Sequence, residues 1–228
     1  MILLKNDDCR AVFEKFFPFW DKLTEDQRDR LCESTLPAEY EKGNNVHGAN
    51  GDCTGAIFVR SGSLRAYMLS EDGREITLYR LFPGDICMLS ASCVIKSITF
   101  DVFVDAEERS GCYIINPGVF SALSEENVYV ENFALHTATE RFSDVMWTMQ
   151  QILFMSFDKR LAVFLIDELS KNGGDTVALT QEQIAKYIGS AREVVSRMLK
   201  YFSSEGLVEV LRGGVRITDK KRLQSLTF

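Results

Sequence analysis

Side chains able to read a polymer of bases gather near the C-terminus, in LTQEQIAKYIGSAREVVSRMLKYFSSEGLVEVLRGGVRITD (179–219). Arg192, Glu193, Ser196, Arg197 and Lys200 share one helical face, opposite the apolar Val194, Val195, Met198, Leu199 and Phe202. Arginine can give two hydrogen bonds to guanine, glutamate can accept one from cytosine, and serine can serve either role. The punctuation around them fits that chemistry. Thr180 with Gln183 forms a capping box that opens a short helix through Ile184, Ala185 and Ile188. Gly189 supplies a tight turn, Ser190 with Glu193 opens the second helix, and Gly206 ends it. Val208–Leu211 and Val215–Thr218 then pair around Gly213 and Gly214 as a wing. Two short helices joined by a glycine turn place the second in the DNA major groove, with its N-terminal residues at the base edges. Thr180, Gln181, Ser190 and Arg212 complete the expected contact set. Blander readings exist residue by residue: Glu193 as the reciprocal cap of Ser190, and Arg197 as its i, i+4 partner on a solvated face. The joint pattern favours DNA.

The thiols are the second candidate chemistry. Cys9, Cys32, Cys53, Cys87, Cys93 and Cys112 are scattered without a CxxC pair, so neither zinc nor an iron–sulfur cluster is expected from their spacing. In a reducing compartment they read as packing residues. The pair Cys87 and Cys93 raises a sharper possibility, a thiol switch in which Arg65, Arg74 and Arg80 lower a thiol pKa. A redox enzyme would need a positioned base or resolving thiol beside the reactive sulfur, and no such constellation is legible. A third reading is a ligand-binding scaffold whose winged helix contacts protein instead of DNA. His47 and His136 are the two histidines; His136 leaves heme open.

The elements that must position these groups follow from periodicity. From Asp7 to Cys32 the pattern is helical, broken near Pro18, with Thr24 and Gln27 as a capping box. From Leu36 to about Val119 short strands alternate with glycine turns, including a hairpin over Met68–Leu78 with Glu71-Asp72-Gly73 at its tip. Such spacing predicts an antiparallel, jelly-roll-like β-roll. A long helix is expected over Ser124–Met155, which lacks Gly and Pro. Positions 128, 131, 135, 138, 142, 145, 149 and 152 read Val, Glu, Leu, Ala, Phe, Val, Met and Ile, a coiled-coil seam. Leu135, Ala138, Phe142, Val145, Met149 and Ile152 are therefore the expected homodimer contacts, while Phe133, Trp147 and Phe154 are left to pack on their own subunit. Asp158 is expected to cap a further helix from Lys159 to Ser170.

Three segments result: N-terminal helices and roll (1–123), dimerisation helix (124–156) and winged helix-turn-helix (157–228), an α+β chain. The net charge of −7 hides an asymmetry, −10 over residues 1–156 and +3 over 157–228, which keeps a DNA-facing field local. The N-terminus turns charged after four residues and no apolar run approaches a membrane span, so a cytoplasmic protein without a membrane partner is expected.

These features together resemble the CRP/FNR family, the cyclic AMP receptor protein and fumarate–nitrate reductase regulators, over nearly the whole chain. The roll resembles the family in YEKGNNVHGANGDCTGAIFVRSGSLRAYMLSEDGREITLYRLFPGDI, and REVVSR matches the family's reading motif. The resemblance implies base contacts for Arg192, Glu193, Ser196 and Arg197, and a palindromic TTGAT-like or TGTGA-like operator. It also implies RNA polymerase as a partner and a signal received at the roll. The signal departs from both known branches. After the PGD turn the chain reads Met88-Leu89 near the family's Gly-Glu position, and no arginine follows in the stretch GDICMLSASCVIKSITFDVF to hold a phosphate. That argues against cyclic AMP. Only Cys9 and Cys32 precede the roll, too far apart in sequence for the family's cluster, which argues against iron–sulfur sensing. An unassigned small-molecule or redox effector remains, or none.

Overall fold

The computed structural model describes residues 6–48, 54–88 and 101–227. They divide into two compact units, one of residues 1–68 and 78–145, the other of 69–77 and 146–228.

The first unit opens with α1 (Asn6–Phe16), a 3-10 turn at Trp20–Lys22 and α2 (Glu25–Glu33). The break at Pro18 and the Thr24/Gln27 capping box both stand where the sequence puts them. Phe13, Phe17, Phe19 and Trp20 turn inward and meet Phe58 and Tyr113 of the roll in one buried aromatic cluster.

The roll is two four-stranded sheets. One has the order β1-β8-β3-β6 (Thr35–Tyr40, Ser110–Ile115, Ala56–Ser61, Ile86–Cys87), and the other β2-β7-β4-β5 (Asn45–His47, Phe103–Ala106, Leu64–Leu69, Glu75–Leu81). The strand pairs defined between them are antiparallel, as expected. The β4–β5 hairpin turns where Gly73 takes φ +78°, with Ser70 and Arg74 bonded across the turn at 2.9 Å. Val59, Leu64, Ala66, Leu81 and Val104 form the roll's own core.

The long helix departs from expectation at its start. Ser124 lies in α3 (Pro117–Glu126), and α4 runs over Val128–Phe154. Asn127 makes the break: its backbone is extended, and its side-chain oxygen accepts the N–H of Tyr129 at 3.0 Å. An Asx cap ends one helix and starts the next without Gly or Pro.

The second unit holds α5 (Phe157–Asn172), β9 (Thr176–Val177), α6 (Gln181–Ile188), α7 (Arg192–Ser204), β10 (Val208–Leu211), β11 (Gly214–Ile217) and α8 (Lys220–Ser225). Helix α5 begins two residues earlier than expected, with Ser156 and not Asp158 at the N-cap. Its core joins Leu161 and Leu165 of α5 to Ile184, Val195, Leu199, Phe202 and Leu223. No helix among the described residues is long and apolar enough to cross a membrane.

Candidate nucleic-acid interface

The site is assembled from α6 outward. Thr180 accepts the Gln183 N–H at 3.2 Å while Gln183 Oε1 accepts the Thr180 N–H at 2.8 Å, so the expected capping box is complete. Thr180 also donates its hydroxyl to Gln183 Oε1, which commits that side chain to the helix start. Gly189 closes α6 in the left-handed region at φ +62°, and the Ser190 N–H returns to Ala185 O at 2.9 Å. Ser190 therefore still belongs to the turn. The expected Ser190/Glu193 cap does not form: Ala191 is the N-cap of α7 and makes no side-chain bond there.

Helix α7 buries Val195, Leu199 and Phe202 and leaves Arg192, Glu193, Arg197 and Lys200 exposed, with Ser196 half-buried. Arg192, Glu193, Ser196 and Arg197 line one open concavity of about 570 Å³. None of the four side chains makes a hydrogen bond or ion pair within the chain, among the described residues. The surface-pair explanation of Glu193 and Arg197 thus has no counterpart here. The arrangement presents two guanidinium forks, a carboxylate and a hydroxyl to one groove-sized volume, the donor and acceptor set that base edges demand.

The wing follows as β10 against β11, with Gly213 at φ +86° and Arg212 exposed at its tip. Arg216 is paired with Glu209 at 2.8 Å. Strand β9 adds a third member to this sheet through Val215↔Val177 and Arg216↔Thr176. A strand of two residues carries no periodicity for sequence reasoning to find.

A second omission concerns how the helix-turn-helix is held. Within the same unit, Glu75 of the 69–77 hairpin pairs with Lys186 Nζ at 2.9 Å, and the Thr77 hydroxyl donates to Lys186 O at 3.3 Å. A Cβ built on Gly189 would lie 3.1 Å from Ile76 Cγ1. From the other side Arg160 donates to Ile188 O at 3.3 Å. The turn before the reading helix is thus fixed by residues distant in sequence, which no local signal announces.

The expected thiol site is not assembled by the described residues. Cys87 is buried, with the Tyr79 hydroxyl 3.7 Å from its sulfur, and Cys93 lies outside the described residues. Each expected arginine has a carboxylate: Arg65 with Asp105 at 3.9 Å, Arg74 with Asp72 at 3.9 Å, and Arg80 with Glu107 at 2.6 Å. The expectation of six free thiols is corrected at the N-terminus, where Cys9 and Cys32 form a disulfide. Helix packing brings together two residues that sequence distance had kept apart. His136 is exposed beside Tyr129 and Phe133 at a cleft of about 400 Å³, and no group of three metal-ligating side chains occurs among the described residues.

On α4, Leu135, Phe142, Met149 and Ile152 of the expected seam are exposed, Phe142 at 64%. Val145 instead packs against the roll's core, Ala138 is half-buried, and Met146 and Leu153 are exposed in their stead. Exposed positions at 3/4 spacing along the helix are Val128, Asn132, Leu135, Thr139, Phe142, Met146, Met149 and Leu153, apolar but for Asn132 and Thr139. Phe133 packs on Phe19 with ring centroids 5.0 Å apart, as expected of an intrachain contact. Trp147 and Phe154 do not: they are 45% and 81% exposed.

With this geometry in view, comparison with known proteins gives a consistent result. Residues 159–226 match the Crp-like helix-turn-helix domain, and residues 37–127 match the cyclic nucleotide-binding domain. A crystal structure of a transcriptional regulator of the Crp/Fnr family from Eubacterium rectale is similar at 44% identity and a TM-score of 0.89, covering 93% of this chain and 99% of that one. The transcriptional activator protein FnrA of Stutzerimonas stutzeri is 30% identical over 189 residues, 77% of this chain and 74% of that protein. The transcriptional activator protein anr of Pseudomonas aeruginosa is 26% identical, covering 90% of this chain and 86% of its own length.

Proposed function

The chain belongs to the CRP/FNR family of transcription regulators, DNA-binding proteins and not enzymes, and from that premise we propose how it reads its operator. Two copies join along the α4 stripe, and each lays α7 in a major groove. Two-fold symmetry then requires a palindromic site with half-sites about one DNA turn apart. Arg197 and Glu193 read a G·C pair at the core of a TTGAT-like or TGTGA-like half-site, Arg192 and Ser196 read its neighbours, and Lys200 and Arg212 hold phosphates. Gln181, at the start of α6, and Ser190, in the turn after it, flank the groove.

One observation supports this reading above all: four groove-facing side chains of the right chemistry line one concavity and are left uncommitted by the fold. A signal at the roll changes how the two copies present α7, and RNA polymerase is the partner that converts binding into regulation. The buried Ile86, Cys87 and Met88 beyond the PGD turn support an effector other than a cyclic nucleotide, because that stretch offers no charge to a phosphate.

The test is operator selection from a random-sequence duplex pool, followed by anisotropy titration. Arg197→Ala is expected to lose about 1–3 kcal/mol of specific binding, about 5- to 150-fold, and to relax preference at one base pair. A selected site without two-fold symmetry, or full retention of specificity by Arg197→Ala, would refute the assignment.

A further inference from the structure

The N-terminal helices carry a chemistry that DNA reading does not use. Cys9 on α1 and Cys32 on α2 are joined as a disulfide with Cα atoms 5.8 Å apart, within the span such bonds adopt. Cys9 is wholly enclosed and Cys32 is 4% exposed. Two neighbouring features bear on what the bond can do. Arg10, next to Cys9, bridges to Glu25 at 3.0 Å and Asp29 at 2.6 Å on α2, a second link between the two helices beside the bond. The buried cluster that contains both cysteines also contains Phe17 and reaches Val130 of α4, with the Phe133 ring tilted against Phe17 at 5.5 Å. The state of the bond is therefore felt by the helix that bears the exposed apolar stripe.

We infer that Cys9 and Cys32 are a reversible dithiol–disulfide couple, closed by a small peroxide and opened by a dithiol reductant, that sets operator affinity through α4. The control claim rests on the DNA-binding reading above. Closure begins at Cys32, the less enclosed residue: its thiolate attacks a peroxide oxygen, giving a sulfenic acid and, with one proton, water. The Cys9 thiolate then attacks the Cys32 sulfur and expels the second oxygen as water. Two thiols and one hydrogen peroxide become one disulfide and two waters. Opening is thiol–disulfide exchange, in which the dithiol leaves as its own cyclic disulfide and returns two thiols. Helix α1 has eleven residues and one buried face, so local opening admits either reagent at small cost. Closed, the bond fastens α1 beneath the first turns of α4; open, α1 loosens and the α4 pair weakens.

The experiment takes the full chain with dithiothreitol, or with hydrogen peroxide after the reductant is removed. Each sample is peptide-mapped without reduction, followed by amide hydrogen exchange, and titrated with the selected operator. The expected result is a Cys9–Cys32 cross-link that peroxide forms and dithiothreitol removes. Exchange over α1 should be about tenfold faster in the reduced form, and its operator Kd about fivefold or more higher. The Cys9→Ala/Cys32→Ala variant should match the reduced protein under both treatments. Absence of the cross-link after peroxide overturns the couple. A cross-link that dithiothreitol cannot open in the folded protein makes it a permanent tie and overturns reversibility. A cross-link that opens and closes at constant Kd overturns control. If no duplex is selected in either state, the DNA-binding reading and the control claim fall together, while the peptide map still decides the couple.

Discussion

Arg197 and Glu193 lie four residues apart on α7 and do not pair, among the described residues. A surface pair at that spacing returns only about 0.2–0.5 kcal/mol, so leaving both groups open costs the free protein little and keeps them available for the proposed base-pair contact. The types and exposure of these residues were legible in the sequence, because helical periodicity separates them from Val195, Leu199 and Phe202. The cap was not. Ser190 looked like the N-cap, but the left-handed Gly189 carries the chain one residue further before α7 begins, and Ala191 takes the place. The thiols divide the same way: type is readable, environment is not. Burial pushes the Cys112 thiol up to about 12. At pH 8 it therefore stays protonated, and iodoacetamide is expected to leave it unmodified in the folded protein but to label it fully in denaturant. Rapid native labelling of Cys112, seen by mass spectrometry, would contradict that burial.

At the level of elements, Gly189 is the position where a single methyl is most informative. An alanine there must hold φ near +62° and sit 3.1 Å from Ile76 Cγ1. The left-handed backbone alone costs an L-residue about 1–2 kcal/mol. Gly189→Ala is thus expected to lower the midpoint of thermal unfolding by several degrees and to weaken operator binding, because the turn aims α7. Unchanged melting, measured by calorimetry, would mean that the turn tolerates the strain. Glycine at this turn was legible as a breaker; its neighbour on the 69–77 hairpin was not. The same limit explains α4. Thirty residues without Gly or Pro read as one helix, yet Asn127 supplies a cap on both sides of a break. Val145 departs from periodicity for a tertiary reason too: the roll's core claims it, while Met146 and Leu153 are exposed.

For the whole molecule, the exposed stripe of α4 is the surface along which the proposed dimer joins. Phe142, Leu135, Met149 and Leu153 are all exposed, the kind of apolar surface that marks an interaction face. A carboxylate placed in that stripe would be desolvated by a partner helix without a counter-charge. Phe142→Glu is expected to sediment as a monomer at micromolar concentration and to lose cooperative binding to the palindrome, while each copy stays folded by circular dichroism. A dimer that survives this change would place the interface elsewhere. The charge asymmetry, legible from counts alone, adds that binding should fall steeply with salt. Finally, the segment that carries Glu75, Ile76 and Thr77 belongs to one compact unit with Lys186 and Gly189, although much of the chain runs between them. The gene therefore has no clean seam at which the C-terminal module can be exchanged. A recombinant that joins a foreign roll to residues 146–228 inherits α6 without its brace, and it works only when the donor hairpin brings compatible residues. Across descendants of this protein, changes at 75–77 and at 186–189 should consequently be inherited as linked pairs.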